Sequence, residues 1–164
     1  LLATADNEIQ RAARYGNPLS VLFLDLDRFM KVNDVHGHLI GSSTLRVLSQ
    51  LLGECVRQVD TLARYGGDEF TSLLVDTEHG VAMRMAERIR KRVEAHLFEA
   101  GHEGTLRLKI SIGVATCPLH GEDRETLLDA ADKAMYRAKS EGRNRVTSAE
   151  ELADSNGPTG ESTA

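Results

Sequence analysis

No stretch of this 164-residue chain is apolar for long enough to span a membrane, and its start lacks the layout of a signal peptide. No membrane contact is expected of this segment. Positive charge is not in excess either. Lys and Arg number 20 against 25 Asp and Glu, a net charge of −5, which argues against a general binder of nucleic acid polymers. Local clusters of Lys and Arg can still hold a small phosphorylated ligand. Cysteine is scarce: Cys55 and Cys117 are the only two, without metal-ligand spacing and both in apolar stretches. They are expected as buried free thiols in a reducing cytoplasm. What is present is ordinary for a globular chain, with 41% apolar and 27% charged residues in a length that fits one domain with a proper core.

Periodicity divides the chain into helical and extended segments. Residues 2–15 read as a helix stopped at Tyr15-Gly16-Asn17-Pro18. Leu19 to Leu24 is an unbroken apolar run between Pro18 and Asp25, the pattern of a strand buried on both faces. A short helix over 27–34 closes at the turn around Gly37, and a longer one carries Leu45, Leu48, Leu52 and Val56 on one face. Residues 60–65 and 70–75 form the arms of a hairpin. The stretch 79–97 repeats the helical stripe through Val81, Met85, Ile89 and Val93, and 99–104 reads as a loop. From Leu106 to Val114 apolar residues alternate with Arg107, Lys109, Ser111 and Gly113, predicting a strand with one covered and one more polar face. Residues 123–140 return to helix, with Leu127, Leu128, Ala131, Ala134, Met135 and Ala138 inward and Gly142 past its end. A last short strand runs through Arg145-Val146-Thr147. From Ser148 the composition turns small and polar, predicting a mobile tail. The order of elements implies an α/β sandwich, α+β in detail, around a largely antiparallel sheet.

The most informative segment is Arg64-Tyr65-Gly66-Gly67-Asp68-Glu69-Phe70. Two glycines permit a backbone reversal, two acids follow, and apolar flanks make it the tip of the hairpin. A tight turn that displays carboxylates beside bare N–H groups suits metal-bound phosphate. Upstream, Asp25-Leu26-Asp27 directly follows the buried strand, where side chains are rigidly held and open to ligand. If that strand pairs beside the hairpin, Asp25 meets Asp68 and Glu69. Like charges at about 4 Å repel by several kcal/mol at intermediate dielectric. The natural counterion is a hard divalent cation such as Mg²⁺, carrying substrate phosphates. This predicts metal-assisted phosphoryl transfer. Plainer readings stay open: Asp25 or Asp27 could cap the following helix, the favoured reading for Asp27, and Asp68-Glu69 could be a solvated hairpin tip.

Taken together, several motifs resemble the GGDEF domain of diguanylate cyclases over roughly residues 10–147. They are Leu24-Asp25-Leu26-Asp27-Arg28-Phe29, Val32-Asn33-Asp34, Gly37-His38, the glycine turn, Ser111-Ile112-Gly113-Val114-Ala115, Ala131-Asp132-Lys133-Ala134-Met135-Tyr136, Ala138-Lys139 and Gly142-Arg143-Asn144. The resemblance implies a central, mostly antiparallel five-stranded sheet ringed by helices, related to the palm of class III nucleotidyl cyclases. It implies joining two GTP molecules into cyclic di-GMP with release of two pyrophosphates, using Mg²⁺ or Mn²⁺. Asp25, the Leu26 carbonyl and Asp68 would hold the ion. Glu69 would be a further ligand or help deprotonate the 3′-hydroxyl. Gly66 and Gly67 would let backbone N–H groups approach phosphate, Phe29 would contact substrate and Asn33 would hydrogen-bond the guanine edge. Lys139 and Arg143 would grip the terminal phosphates. Their spacing of four independently places both on one face at a helix end, which suits an anion as it also suits a helix dipole.

The chain departs from the family in places. Most members carry Asp after the Gly-His motif, in a Gly-Asp pair, where this chain has Gly41-Ser42. Aspartate accepts two charge-assisted hydrogen bonds from guanine and suits adenine poorly, whereas serine donates or accepts and tolerates it. The same exchange resembles the Hypr subgroup, whose members make cyclic GMP-AMP, so ATP joins GTP as a candidate substrate. The plainer alternative is that Ser42 weakens guanine binding without changing the product. Met30 stands where the family often has Lys. The usual Leu-Thr-Gly-Leu opening motif is missing, so residues 1–147 are expected to be a catalytic domain excised from a larger protein, with 148–164 as its tail.

Arg57-Gln58-Val59-Asp60 matches the family's Arg-x-x-Asp product-inhibition motif. Arg57 can fork onto a guanine edge or phosphate and Asp60 can accept from guanine N1–H. Arg88 matches an arginine that bridges two domains through bound cyclic dinucleotide product. The competing explanation is an ordinary surface ion pair. Arg90, Lys91 and Arg92 read as a solvated helix face. Each domain binds one nucleotide, so a cyclic product requires a homodimer facing across a two-fold axis. The alternative function is a silent receptor that binds cyclic dinucleotide through Arg57, Asp60 and Arg88. The presence of Asp25, Asp68, Glu69, Lys139 and Arg143 favours the enzyme.

Overall fold

The unbroken apolar run ahead of Asp25 forms the central strand. In the computed structural model, which describes residues 2–150, β1 (Leu19–Leu26) is buried along its whole length. It is paired on both edges and covered on both faces, and its side chains are apolar apart from Ser20 and Asp25. The helix α1 (Leu2–Tyr15) precedes it and stops at Gly16, which has a positive φ. Next come α2 (Phe29–His36), α3 (His38–Gly53), β2 (Thr61–Gly66), β3 (Glu69–Leu74) and α4 (His79–Ala95). A ribbon of β4 (Phe98–Glu99) and β5 (Thr105–Leu106) leads to β6 (Ile110–Cys117), α5 (Arg124–Ser140) and β7 (Val146–Ser148). The main sheet has the order β2-β3-β1-β6-β7. Its pairs are antiparallel except β6 with β7, so the mostly antiparallel five-stranded sheet flanked by helices is as expected.

Alternation along the strands sends side chains into two cores. Leu22, Leu24, Phe70 and Ile112 join Leu48 and Leu52 of α3 and Ala86 and Ile89 of α4 on one face. Val21, Phe23, Leu73 and Ala115 join Ile9 of α1 and Leu127, Ala131 and Ala134 of α5 on the other. Cys55 and Cys117 are buried and free, one in each core.

The strand expected from Leu106 instead begins at Ile110, runs to Cys117 and is buried on both faces. The cause is the close approach of α5. A Cβ added at Gly113 would lie 2.0 Å from the Ala131 carbonyl oxygen and 2.4 Å from the Met135 nitrogen. The small residues that resembled a polar face are therefore where a helix presses on the sheet. On α4 the buried column is Ala82, Ala86, Ile89 and Val93, while Val81 is exposed and Met85 half-buried. Ile89 and Val93 of the expected stripe are buried, while Ala82 and Ala86 take the inward places expected of Val81 and Met85. Val56 lies past the end of α3, and the loop expected over 99–104 contains a short 3₁₀ turn, Gly101–Glu103, closing the β4–β5 ribbon. β7 runs to Ser148, and the buried Ala149 donates its N–H to the Val114 carbonyl at 2.7 Å. The ordered domain therefore passes residue 147. The rest of the predicted tail, 151–164, lies outside the described residues. No helix among the described residues is long and apolar enough to cross a membrane.

Gly113→Ala is expected to cost about 3 kcal/mol or more, because the overlap is with backbone that cannot rotate away. Gly80→Ala, in the first turn of α4 where a Cβ meets nothing nearer than 3.7 Å, is expected to stabilise by about 0.5–1 kcal/mol. Urea unfolding followed by circular dichroism reads both, and a Gly113→Ala variant as stable as the parent would remove the packing argument.

Candidate functional site

The register of β1 against β3 sets Asp25 opposite Glu69. The hairpin turns through Gly67-Asp68, with a bulge at Tyr65 and a positive φ at Gly67. Three contacts fix the turn. Arg64 Nε donates to the Gly67 carbonyl at 2.8 Å, the Tyr65 ring meets Phe23 edge-on with centroids 5.1 Å apart, and the Leu26 N–H donates to the Asp68 carbonyl at 3.4 Å. Two acidic stretches far apart in sequence thus meet at one end of the central strand.

Asp25 is only 7% exposed. One carboxylate oxygen accepts from Lys139 Nζ, and the other, Oδ1, is buried without a hydrogen-bond partner. Burial pushes this carboxyl up to about 7; Lys139 pulls it down, and the charge of Asp68 adds to the rise. A buried carboxylate with an unsatisfied oxygen beside a second carboxylate fits a divalent cation. The Leu26 carbonyl, the third donor that the resemblance implies, belongs to the last residue of β1. Among the described residues, no three His, Cys, Asp or Glu side chains cluster at metal-holding distance. The donor set therefore leaves positions for substrate oxygens and water, as Mg²⁺ prefers. Glu69 is half-buried, with Oε2 near Gly66. The structure thus brings Asp25 to Asp68, with Glu69 paired across from Asp25 in the sheet.

Asp27 does not cap the next helix. The residue at the start of α2 is Arg28, in a left-handed conformation with φ 58° and no side-chain cap. Asp27 is buried and accepts from Ser111 Oγ at 2.6 Å and from the Asn144 N–H at 2.9 Å. The cap reading failed because these partners are remote in sequence.

On the opposite side of the turn, α2 packs on α3 through Gly41. A Cβ there would lie 1.8 Å from Asn33 Oδ1 and 3.3 Å from Phe29 Cζ. Gly41 is therefore what lets Asn33 and Phe29 lie against the start of α3, beside Ser42. An isolated glycine inside a helix signals such close contact, so this role was legible but unread. Ser42 is exposed and borders a cavity of about 350 Å³ with Arg46, Gln50, Arg64 and Phe70.

Lys139 and Arg143 do not share a helix face, because α5 ends at Ser140. Arg143 lies on the following turn with φ 64°. It borders a different cavity, of about 450 Å³, with Arg28, Lys31, Arg107 and Lys109, where Asp27 is the one acidic side chain. Convergent cations in a net-negative chain focus potential for an anion.

Arg57, Asp60 and Arg88 gather at the turn after α3. Arg57 forks onto Asp60 at 3.1 and 3.0 Å and also donates to the Val75 carbonyl at 2.7 Å. Asp60 accepts from the Val75 N–H at 3.1 Å, and Arg88 donates to the Cys55 carbonyl at 3.0 Å. Arg90 is not solvated as expected. Its side chain is 13% exposed and pairs with Glu87 and Glu94. Lys91 is exposed, and Arg92 reaches Glu54.

Residues 1–145 match the family model described as diguanylate cyclase, GGDEF domain. The chain is 45% identical over 139 residues to diguanylate cyclase DosC of Escherichia coli, covering 85% of this chain and 30% of that protein. It is 42% identical over 142 residues to response regulator PleD of Caulobacter vibrioides, covering 86% and 31%. It therefore spans about a third of the length of these curated relatives. The GGDEF domain of YfiN from Pseudomonas aeruginosa superposes with a TM-score of 0.87 at 32% identity, over 92% of this chain and 93% of that one. The GGDEF domain of DgcB from Caulobacter crescentus, solved in complex with c-di-GMP, gives 0.83 at 28% identity over 89% and 86%.

The raised Asp25 pKa has a stability consequence. Between 3.8 and about 7 the folded state holds a proton that the unfolded state has released, so this group makes stability fall as pH rises through that window. In the absence of metal, Asp25→Asn is expected to exceed the parent by about 1–4 kcal/mol above the window and to match it below. Melting temperatures of both proteins across the range read the difference. A gap that does not grow with pH would show that the ionised carboxylate is not disfavoured.

Proposed function

The chain belongs to the diguanylate cyclase GGDEF domain family, and we propose that it joins two GTP molecules into cyclic di-GMP with release of two pyrophosphates. The observation that carries this reading is the buried, unsatisfied Asp25 oxygen beside Asp68. Asp25, the Leu26 carbonyl and Asp68 would hold Mg²⁺ or Mn²⁺, which supplies positive charge for the phosphate and acidifies the attacking hydroxyl. Lys139 neutralises Asp25 in this structure; its proposed role with substrate is to release Asp25 and take a terminal phosphate. Arg143 grips the same end of the triphosphate, supported by Arg28 and Lys31 around its cavity. The Gly66-Gly67 backbone admits phosphate close to the turn. Glu69, set beside Gly66, takes the 3′-hydroxyl proton. The freed oxygen bonds to the α-phosphorus of the facing nucleotide, and the bond to pyrophosphate breaks. Two copies across a two-fold axis perform this twice.

Asn33 and Ser42 line the base end, with Phe29 beneath. Serine places no carboxylate against the guanine N1–H and N2–H₂, so the proposal extends to relaxed base selectivity, with ATP accepted beside GTP and cyclic GMP-AMP formed. Arg57, Asp60 and Arg88 are the proposed product site, in keeping with the c-di-GMP held by DgcB. Product there would replace the Arg57–Asp60 fork. The buried thiols and a nucleoside triphosphate substrate support a cytoplasmic setting.

Incubating the chain with Mg²⁺ and GTP, ATP or both, and resolving products by chromatography, tests the reading. Cyclic di-GMP is expected from GTP alone, and Asp68→Ala is expected to abolish turnover while cyclic di-GMP binding at Arg57 persists. No pyrophosphate release from any mixture, even at high protein concentration, would favour a silent receptor. With both nucleotides present, Ser42→Asp is expected to shift the products toward cyclic di-GMP. An unchanged ratio would sink the selectivity argument.

A further inference from the structure

Beside Arg143 lies a polar assembly that the function proposed above does not use. Arg143 and Asn144 are consecutive non-glycine residues with positive φ, 64° and 47°. Each such residue is strained and persists only where its surroundings over-determine it. Here they do. The Asn144 N–H donates to Asp27 Oδ2 at 2.9 Å, while Asp27 Oδ1 is anchored to β6 by Ser111 Oγ at 2.6 Å. The Asn144 side chain accepts from Arg90 Nη1 at 2.9 Å and donates to Glu94 Oε1 at 2.8 Å. Arg90 is held in turn by Glu87 at 2.9 and 2.7 Å and by Glu94 at 2.9 Å. The Arg143 N–H closes the end of α5 on the Ala138 carbonyl at 2.9 Å.

Every polar atom of the Asn144 side-chain amide is thus tied to α4, and its backbone N–H is tied to Asp27, just past β1, and through it to β6. Arg143 is the contrast. Its guanidinium has no hydrogen-bond or ion-pair partner among the described residues, so its direction is set by the backbone that carries it. That backbone is the strained step the assembly fixes, and the side chain opens onto the basic cavity with Arg28 and Lys31.

We propose that Asp27, Arg90 and Asn144 are positioning residues for the nucleotide's terminal phosphates, acting by locking the left-handed Arg143-Asn144 step so that Arg143 is presented to them. This rests on the function proposed above. The buried second aspartate after β1 serves the phosphate grip rather than the metal, and α4 contributes to substrate binding without touching substrate.

The test is equilibrium binding of N-methylanthraniloyl-GTP with Mg²⁺ to the full chain, in a double-mutant cycle of Asn144→Gly and Arg143→Ala. Glycine keeps the left-handed conformation available and removes only the bridge. Asn144→Gly is expected to weaken binding about ten-fold, the scale of a misplaced charge-assisted contact. In the Arg143→Ala background it is expected to add nothing, because it acts through Arg143. A role confined to fold stability would lower the melting temperature yet leave the folded protein's affinity unchanged. Unchanged affinity, or additive losses, overturns the proposal. If Asn144→Gly fails to fold, Arg90→Ala enters the same cycle with the same expectations. A parent that binds no nucleotide overturns the functional reading and this inference with it, a result distinct from any difference among variants.

Discussion

The antiparallel pairing of β1 with β3 is the constraint on which the rest depends. It sets the first aspartate opposite the hairpin acids, and a slip of one residue would exchange the side chains that β1 sends into the two cores. Because β1 is buried on both faces, that slip is prohibitive, so two cores hold the register that gathers the acids. The same strand pairs β6 along eight positions, which brings Ser111 within reach of Asp27. Folding energy from apolar burial is thereby spent on holding like charges together.

What those charges do to one another shapes the site. Asp25 is desolvated, half-satisfied and close to Asp68, so the folded chain bears an electrostatic tension that a cation relieves. Lys139 relieves it in part. By contrast, the acids of α4 near Arg90 are fully engaged, and the carboxyl of Glu94 lies below its usual range because Asn144 and then Arg90 donate to it. Unsatisfied acid at the strand end and satisfied acid on the helix mark the difference between a site and its support.

Much of this was legible in the sequence because it is local. The glycine turn, the strand ahead of Asp25 and the stripe of α5 are patterns of neighbours, and the family motifs carried the remaining site residues. What escaped depends on contacts between distant elements. Asp27 looked like a cap because its partners Ser111 and Asn144 come from β6 and the turn after α5. Gly113 looked like a polar strand position because nothing near it in sequence reveals that α5 lies on it. Arg90 looked solvated because three of its four acceptor atoms sit on neighbouring Glu side chains, a pattern common on exposed helices, while the fourth is Asn144. Arg143 looked set on one face with Lys139 because a spacing of four suits a helix, yet the helix stops at Ser140 as expected and the left-handed turn after it carries Arg143 elsewhere.

The placement of Ser42 separates recognition from architecture. It is exposed on α3 and its hydroxyl has no hydrogen-bond partner among the described residues, so replacing it changes folding stability by no more than about 0.5 kcal/mol. Asp25, Gly41 and Gly113 have no such freedom. With the base contact proposed for Ser42, lineages carrying this scaffold would be able to drift in nucleobase preference one substitution at a time, without first acquiring a stabilising change elsewhere.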